Sequence, residues 1–463
     1  MRTAVVAAAI CLAFGCARSE SEAQARPGKL QGAVLILLDT VRADHLSCYG
    51  YDRPTSPHID ALARDGVRFE RVIAPSPWTL PSVVALLTGE YAERVLPGKV
   101  TRSLPEAFQQ AGFTTAAVTE GGFVSTAFGL DRGFGTFEEE QGAIQLVGPR
   151  RPGDPHARGG IEQTFQRAKQ WLSRHREERF FLLIHSYEPH APYSRRTFAG
   201  GMDSGVVGPV FRASSLPALQ SGQIVLSDEE IDYVKALYDG GILETDRHVG
   251  IFLERLAALG IRDTTLVVLT SDHGEELGDH YRTRCGDHGH SLLDDLLKVP
   301  LIIDDPSRSY AASRVEAQVR TMDIMPTLLD LVGVPSHIPM EGRSLVPLMQ
   351  GQSEPGRIAF GGSPHSGPDR SYVRHRGYKY VRVTGAGTRR TMKLIPTPPS
   401  EQLYELRKDP GELHNLVDEE PELVAGFRKL LDDLSDGDLR SIEAPDALDD
   451  ELRKRLESLG YVD

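Results

Sequence analysis

The stretch AVLILLD, residues 33–39, is an apolar run that ends in the carboxylate Asp39. A second run, TLVVLTSDHGEE at residues 265–276, contains Asp272 followed at once by His273. Apolar runs bounded by turn signals are typical of buried strands in a parallel sheet. Ligands of such sheets gather at the carboxyl ends of the strands. The two runs therefore predict an α/β fold in which Asp39, Asp272 and His273 meet on one edge of the sheet.

A candidate nucleophile lies between the two runs. The segment PSPWTLPSVVALLTG, residues 75–89, places the hydroxyl of Thr79 at the start of a short helix. Carboxylates beside an imidazole suit a divalent metal, and a hydroxyl nearby is a candidate nucleophile. We therefore predict a metal site made by Asp39, Asp272, His273 and Thr79. The alternative is that Thr79 is a helix N-cap.

The rest of the chain continues the α/β pattern. A capping box at residues 227–230 opens a predicted long helix that runs towards Leu259. Residues 145–160 and 196–224 are rich in Gly, Pro and Ser and are predicted to be loops. The predicted core strands are 33–38, 114–119, 180–185 and 265–270, and the predicted helices are 58–65, 104–111 and 161–174.

The pattern changes after about residue 350. The segment SYVRHRGYKYVRV, residues 371–383, alternates across an Arg-Gly turn and predicts an antiparallel hairpin. The sequence after Pro421 predicts a helix. We therefore expect a smaller antiparallel C-terminal subdomain, with an independent binding module as the alternative.

Length and charge limit the class of protein. The 463 residues exceed one typical domain, and a hydrophobic content of 40% is enough for a sizeable core. The formal net charge of −13 argues against nucleic acid as a partner. It is compatible with an anionic substrate held by a local metal.

The N-terminus predicts export. Arg2 precedes the apolar stretch AVVAAAICLAFG, residues 4–15, which is too short for a membrane span and is typical of a signal peptide. Residues 13–16 are similar to a bacterial lipobox, with Cys16 as the lipidated residue. We predict a signal peptide over 1–16, a polar tether over 17–29, and a periplasmic or outer-surface lipoprotein anchored to a bacterial membrane. A soluble exported protein and an uncleaved anchor are the alternatives.

Two cysteines remain in the predicted folded body. They are Cys48 and Cys285, and both lie in predicted loops near the expected site. Export permits a disulfide between them. Two buried free thiols are the alternative.

Longer segments show a resemblance to a known family. The resemblance covers roughly residues 30 to 420, and its order and spacing resemble the sulfatase family of the alkaline phosphatase superfamily. The matching segments are LLDTVRADHLSCYGY (37–51), TSPHIDALARDGVRFERVIAPSPWTLPSVVALLTG (55–89), HSYEPHAPY (185–193), SDHGEELGDH (271–280), DHGHSLLDDLLKVPLII (287–303), MDIMPTLLDLVGVP (322–335), EGRSLVPLM (341–349) and QLYELRKDPGELHNL (402–416).

The resemblance implies an alkaline-phosphatase-like fold. A large, mostly parallel sheet flanked by helices is expected within residues 30–350, and the smaller subdomain and a tail within residues 351–463. The resemblance also implies a divalent metal, which is calcium in a sulfatase-like site and zinc or manganese in a two-metal phosphoesterase site. The substrate it implies is a small or glycan-linked anionic ester.

Thr79 departs from the family pattern. It stands where active sulfatases carry the Cys or Ser that is oxidised to formylglycine, and Val83 replaces the Arg of that motif. A formylglycine hydrate releases sulfate by elimination through its second hydroxyl, whereas a Thr ester must be cleaved by water. Phosphodiesterases of the superfamily use a Thr here and activate that water with a second metal. The departure therefore favours phosphodiester or phosphonate ester cleavage by an unmodified Thr79.

Histidines complete the predicted site. By the resemblance, His190 contacts the ester and leaving group, and His288 binds the anion. His290 lies two residues further on and would face the same way if this stretch is extended. His190 with either His288 or His290 is a candidate second metal site.

Other positions also differ from the family. Ser186 stands where a carboxylate ligand is expected, which leaves His185 or Glu188 as substitute ligands. Thr40 replaces the second Asp of the sulfatase calcium pair, and Glu120 stands where many sulfatases have a Lys. A Glu there would repel an anionic ester, so it either binds metal or points away.

The sequence thus predicts an exported, metal-dependent hydrolase of sulfate or phosphate esters. A sulfuric ester hydrolase is one alternative. The other is a catalytically inactive sulfatase-like protein that binds an anion or glycan without turnover.

Overall fold

The structure is a computed structural model that describes residues 30–436 with short gaps. The gaps are residues 93–102, 141–159, 203–206, 209–210, 212–217, 220–222, 283, 307–309, 311–312, 336–339, 363–364, 366 and 386–398. The predicted signal peptide, tether and C-terminal tail lie outside the described residues, as does nearly all of the predicted loop 145–160. Within the described part, no helix is long and apolar enough to cross a membrane.

The strands of the described residues form three sheets. They are β1 (Gly32–Leu38), β2 (Val67–Ile73), β3 (Thr114–Thr119), β4 (Thr136–Glu139), β5 (Phe180–Ser186), β6 (Thr265–Ser271), β7 (Glu276–Leu277), β8 (Cys285–Asp287), β9 (Lys298–Asp304), β10 (Arg314–Arg320), β11 (Ala359–Gly362), β12 (Asp369–His375), β13 (Tyr378–Gly385) and β14 (Glu401–Glu405). The predicted strands at β1, β3, β5 and β6 are all confirmed.

The main sheet is mostly parallel, as predicted. Its strand order is β10-β2-β9-β6-β1-β5-β3-β4, and only β9 runs antiparallel to its neighbours. The central strand β1 pairs in parallel with β5 and β6, so that Leu38 lies opposite Ser186 on one side and Ser271 on the other. The residues that follow these strand ends therefore lie side by side on one edge of the sheet.

The helices cover both faces of the main sheet or pack on the C-terminal sheet. They are α1 (Pro57–Asp65), α2 (Thr79–Thr88), α3 (Leu104–Gln110), α4 (Ile161–His175), α5 (Asp228–Ala258), α6 (Asp294–Leu297), α7 (Ile324–Val332), α8 (Val346–Met349) and α9 (Pro421–Asp436). The predicted helices at α1, α3, α4 and α9 are confirmed. So is the long helix α5, whose N-cap Ser227 accepts a hydrogen bond from the backbone N–H of Glu230 at 3.3 Å.

Alternate side chains of β1 pack in two apolar clusters, one on each face of the main sheet. Val34, Ile36 and Leu38 pack in a cluster with residues of α1, α4 and α5. Ala33 and Leu35 pack on the opposite face with residues of α2, α3 and α7. Because successive side chains of a strand point to opposite faces, an uninterrupted apolar run is what a strand covered on both sides requires.

The smaller subdomain is an antiparallel sheet of β11, β12, β13 and β14 with α9 packed against it. The predicted hairpin is β12–β13, whose turn contains Arg376 and Gly377 with positive φ values of 48° and 83°. A buried ion cluster joins this sheet to the main domain. Lys379 Nζ lies 2.9 Å from Asp294 Oδ1 and also contacts Glu412.

The two remaining cysteines are free thiols. Cys48 is half-buried and Cys285 is buried. Both pack against the same apolar cluster under α5. The structure therefore agrees with free thiols at Cys48 and Cys285, and not with a disulfide between them.

His280 also ties the main domain to the C-terminal segment. Its Nδ1 lies 3.0 Å from Asp295 Oδ2, and its Nε2 lies 2.6 Å from the carbonyl oxygen of Gly411. Both partners are acceptors, so both ring nitrogens must carry protons. Although burial opposes the charge, these partners raise the pKa of His280 from 6.5 to about 9.

We predict that His280→Gln destabilises the protein in a pH-dependent way. The folded-state pKa is raised, so the charged imidazole contributes its full stability below pH 6.5 and loses it as the pH rises through about 9. The free energy of unfolding should fall by on the order of 2 kcal/mol at pH 6 and by little near pH 10. Denaturant unfolding at several pH values measures this. The control is His414→Gln, which removes an exposed pair with Glu419; an effect of His280→Gln that does not change with pH would contradict the prediction.

Candidate active site

Two buried carboxylates lie side by side at the ends of β1 and β6. Asp39 follows β1, and its backbone N–H donates to the carbonyl of Ser186 at 2.9 Å. Asp272 follows β6, and its Oδ1 accepts from the backbone N–H groups of His273 at 2.9 Å and Thr40 at 3.4 Å. Asp39 Oδ1 and Asp272 Oδ2 are buried and have no hydrogen-bond partner. The structure thus brings Asp39 and Asp272 together at adjacent strand ends, as the sequence predicts.

Imidazoles of two histidines complete this group. His185 Nε2 lies 3.6 Å from Asp39 Oδ2, and neither ring nitrogen of His185 has a hydrogen-bond partner. His273 Nε2 lies 3.6 Å from Asp272 Oδ2 and 3.8 Å from Asp39 Oδ1. Among the described residues, Asp39, His185 and Asp272 are the one group of three whose ligand atoms all lie within 4.8 Å of one another.

Burial opposes the charged form of each member of this group. Burial raises the pKa of Asp39 well above its usual value, and the charges of Asp272 and Glu275 raise it further. Burial also raises the pKa of Asp272, lowers that of His185 to about 4 and lowers that of His273 well below its usual value. Two carboxylates and two neutral imidazoles with unsatisfied atoms are a donor set that fits a divalent metal.

The hydroxyl of Thr79 points into this group. Thr79 is the first residue of α2 and is 2% exposed. Its Oγ1 donates to Asp39 Oδ2 at 3.2 Å and lies 3.3 Å from His273 Nε2. The N-cap position is held by Trp78, and no side chain caps the helix. The alternative that Thr79 is only an N-cap is therefore wrong.

A second set of hydrogen bonds orients His288 beside the carboxylates. His288 Nδ1 lies 2.9 Å from Glu275 Oε1, and the hydroxyl of Tyr193 donates to Glu275 Oε2 at 2.6 Å. The His288 ring lies 4.6 Å from the His273 ring and 4.9 Å from the His190 ring, measured between centroids. Glu275 raises the pKa of His288 against the effect of burial. The sequence reasoning missed Glu275 and Tyr193, although Glu275 lies only three residues after Asp272.

The environment of His190 lowers the pKa of its imidazole, in contrast to that of His288. Its Nδ1 donates to the carbonyl of Ala191 at 2.6 Å, which leaves Nε2 as the acceptor nitrogen of a neutral ring. Burial lowers the pKa of His190, and the charge of His288 lowers it further. The two neighbouring imidazoles thus favour different protonation states.

Two of the predicted ligands lie elsewhere. His290 Nε2 contacts Glu276, and its Nδ1 lies 3.4 Å from Asp287 Oδ2, so it does not join His190 and His288. The turn at Gly289, with a φ of 74°, breaks the extended conformation on which that prediction depended. Glu188 accepts a hydrogen bond from Arg195 Nε at 2.5 Å. Of the two substitute ligands considered, only His185 lies with Asp39 and Asp272.

Three of the other departures from the family pattern, Glu120, Ser186 and Val83, are buried. Glu120 accepts hydrogen bonds from Ser186 Oγ at 2.7 Å and from the backbone N–H of Tyr187 at 3.0 Å. Burial raises the pKa of Glu120 to about 8, so a neutral carboxyl is accessible near neutral pH. These contacts agree with the alternative in which Glu120 points away from the ester. Val83 packs in the apolar core beneath α2.

The family matches of this chain identify an ester hydrolase of the alkaline phosphatase superfamily, in a family whose enzymes are metal-dependent. The family model described as Sulfatase matches residues 31–334, and the model described as N-sulphoglucosamine sulphohydrolase, C-terminal, matches residues 287–436. The first match covers more than half of the chain. The protein therefore belongs to the sulfatase family.

Similar proteins include both sulfatases and phosphorus ester hydrolases. The multifunctional alkaline phosphatase superfamily protein PehA of Trinickia caryophylli is 26% identical, with 69% of this chain and 77% of that protein covered. Human arylsulfatase A is 26% identical, with 85% and 84% covered. The structure of the phosphonate monoester hydrolase of Agrobacterium radiobacter is similar with a TM-score of 0.67 at 24% identity, covering 89% of this chain and 95% of that one.

We predict that Asp272→Ala removes most of the bound metal and all of the activity. The substitution deletes a carboxylate that faces His273 and leaves Asp39 without its neighbour. Metal analysis of the purified variant, together with an activity assay, measures both effects. Asp330→Ala is the control, because this carboxylate lies on α7 and accepts a hydrogen bond from Ser344. Full metal occupancy in Asp272→Ala would contradict the assignment.

Proposed function

We propose that this protein is an exported hydrolase of anionic esters that uses Thr79 as an unmodified nucleophile. We further propose that it cleaves phosphodiesters or phosphonate esters in preference to sulfate esters. The observation that carries this proposal is the position of the Thr79 hydroxyl, 3.2 Å from Asp39 Oδ2 and 3.3 Å from His273 Nε2. A buried hydroxyl held between candidate metal ligands is placed to act as an activated nucleophile.

The residues proposed to hold the metal are Asp39, Asp272, His273 and Thr79, with His185 as a further ligand. When bound, a divalent metal would stabilise the negative charge on the attacking oxygen and on the ester. The imidazole nitrogens beside two carboxylates favour zinc or manganese over calcium, which prefers oxygen ligands. His185 Nε2 lies 3.6 Å from Asp39 Oδ2, whereas Thr40 brings no carboxylate to the site.

The proposed first step is attack by Thr79 Oγ1 on the phosphorus or sulfur atom. The bond from this atom to the leaving oxygen breaks, and the hydroxyl proton passes to Asp39, whose Oδ2 already accepts it. We assign the general acid to His288, because Glu275 holds its Nδ1 and favours the protonated ring. A proton from His288 Nε2 would then leave with the alcohol.

The proposed second step is hydrolysis of the Thr79 ester by water. His190 suits the role of general base, because its pKa is lowered and its Nδ1 is already held by the carbonyl of Ala191. The base and the acid are then two adjacent imidazoles whose environments separate their pKa values. Asp39 returns its proton to Thr79 Oγ1 as the anion is released, and proton exchange with solvent restores the protonated His288 and the neutral His190.

The phosphorus preference follows from the chemistry of threonine. Thr79 has no second hydroxyl through which sulfate can be eliminated, so its ester must be hydrolysed. Val83, in the place of the motif Arg, lies in the apolar core and brings no positive charge to an ester. The fold is similar to that of a phosphonate monoester hydrolase, which is compatible with this choice.

A sulfuric ester hydrolase is the second candidate, and the sulfatase family match favours it. Similar proteins include an N-acetylglucosamine-6-O-sulfatase and a structure in complex with its substrate D-glucosamine-2-N,6-O-disulfate. A glycan-linked ester is therefore a candidate substrate in either case. Export and lipidation of Cys16 remain predictions from the sequence, outside the described residues.

We predict that Thr79 is the unmodified catalytic hydroxyl. Peptide mass analysis should show a plain threonine, because its extra methyl group prevents oxidation to formylglycine. Thr79→Val should lower kcat by on the order of 10³-fold or more, since it removes the nucleophile while keeping the shape. Thr88→Val is the control, because that hydroxyl ends the same helix and donates to the carbonyl of Val84. An aldehyde at position 79, or full activity in Thr79→Val, would contradict the mechanism.

We predict that phosphodiester or phosphonate ester cleavage exceeds aryl sulfate cleavage. His190→Ala and His288→Ala should each lower it by on the order of 10²-fold or more, because each removes a proposed proton-transfer group. A panel of aryl sulfates, phosphate monoesters, phosphodiesters and phosphonate esters measures the preference. His414→Ala, an exposed histidine, is the control. Multiple-turnover sulfate release without phosphoesterase activity would favour the second candidate, and no turnover of any ester would favour a binding protein.

A further inference from the structure

A cluster of aromatic side chains lies beside the Thr79 site. The ring of Trp78 lies 5.3 Å from the ring of Phe123 and 4.9 Å from that of His365, measured between centroids, and both contacts are edge-to-face. The ring of Phe128 lies 5.5 Å from that of Phe123. We name these four residues the aromatic wall. Three separate parts of the chain build it: the N-terminus of α2, the segment after β3 and the loop between β11 and β12.

The aromatic wall adjoins the proposed nucleophile and the proposed general acid. Trp78 directly precedes Thr79. Gly289 directly follows His288, and a Cβ added at Gly289 would lie 2.9 Å from His365 Cβ and 3.5 Å from Trp78 Cβ. The backbone beside His288 therefore packs closely against the wall.

A hydrogen bond also connects the wall with the proposed general base. The backbone N–H of Phe123 donates to the hydroxyl of Tyr187 at 3.1 Å. The Tyr187 ring lies 5.7 Å from the His190 ring and perpendicular to it. Gly122 permits this close approach, because a Cβ there would lie 2.8 Å from the Tyr187 hydroxyl. Phe123 is thus held by a residue that packs against His190.

The partly exposed members of the site lie on the side of the wall. The side chain of His288 is 20% exposed, and His190 is half-buried, as are Phe123 and His365. The carboxylates, the nucleophile and the histidine beside them are at most 2% exposed: Asp39, Thr79, Asp272 and His273. A leaving group that takes its proton from His288 therefore departs on the half-exposed side of the site, next to the wall.

We propose that the aromatic wall binds an aromatic ring of the leaving group, with Phe123 as a residue that determines specificity for aryl esters. This inference rests on the ester hydrolysis proposed above. Aromatic rings attract one another in the edge-to-face geometry that the wall already contains. The side chains of Phe123 and Phe128 carry no polar atom, so they offer no partner to the hydroxyl groups of a sugar. An aromatic ring suits this surface better than a saturated, hydroxylated one.

Binding of analogues that cannot be cleaved tests this assignment without turnover. Benzylphosphonate carries a CH₂ group in place of the leaving oxygen of phenyl phosphate, so it has no ester bond. Cyclohexylmethylphosphonate carries a saturated ring of the same ring size. In titration calorimetry with the metal-loaded wild-type protein, benzylphosphonate should bind about 5-fold more tightly than the cyclohexyl analogue. Phe123→Leu should remove most of this preference, and Phe123→Tyr should retain it.

Phe137→Leu is the matched control. This phenylalanine is also half-buried, but it lies on the edge strand β4 and packs with Phe134 at a centroid distance of 5.7 Å. Its substitution should leave the affinities for both analogues unchanged. A change equal to that in Phe123→Leu would show a general effect on the fold and would overturn the assignment.

Steady-state kinetics with phenyl methylphosphonate give a second readout. Phe123→Leu should raise KM about 5-fold with little change in kcat, because the ring contact is made in the bound ester as well as in the transition state.

The outcomes separate this inference from the proposed function. Equal or tighter binding of the cyclohexyl analogue to the wild-type protein, or no binding of either analogue, would overturn the role of the aromatic wall. Preferential binding of benzylphosphonate that depends on Phe123, without turnover of any ester, would support the wall and contradict the proposed hydrolysis. Turnover of esters with equal binding of the two analogues would do the reverse.

Discussion

The burial of two like charges side by side is the constraint on which the rest of the site depends. Asp39 and Asp272 are fully buried at adjacent strand ends, and each has an oxygen without a partner. Desolvation and mutual repulsion oppose this arrangement, so the parallel pairing of β1 with β6 must hold the carboxylates in place. The rigid sheet, covered by helices on both faces, makes an otherwise unfavourable anionic centre possible. A cation is the natural complement of that centre.

The histidines around the two carboxylates differ in the protonation state that their neighbours favour. Glu275, itself held by Tyr193, raises the pKa of His288 against the effect of burial, whereas burial lowers the pKa values of His190, His185 and His273. Neutral rings can bind metal or accept a proton, and a charged ring can donate one. Four histidines in one site can therefore take different roles because their neighbours differ.

The departures from the family pattern form a consistent set when their positions are known. Thr40 brings no carboxylate, but His185 from the neighbouring strand end lies beside Asp39. Glu120 holds Ser186 and Tyr187 at the end of β5 and does not face the ester as a free charge. Val83 belongs to the core beneath α2. The site thus has an imidazole near Asp39 where Thr40 brings no carboxylate, and an apolar side chain in the place of the motif arginine, in line with the unmodified nucleophile proposed for Thr79.

The sequence by itself determined the α/β class, the buried strands and the meeting of Asp39, Asp272 and His273, because apolar runs and strand ends are local signals. The hairpin β12–β13 and the helix α5 were predictable for the same reason. Only the tertiary structure decided that His185 joins the carboxylates, that Glu275 orients His288, and that His290 turns to Glu276. Those choices depend on backbone turns and on which distant side chains come within hydrogen-bonding distance. Contacts between residues far apart in sequence leave no periodic pattern from which they can be read.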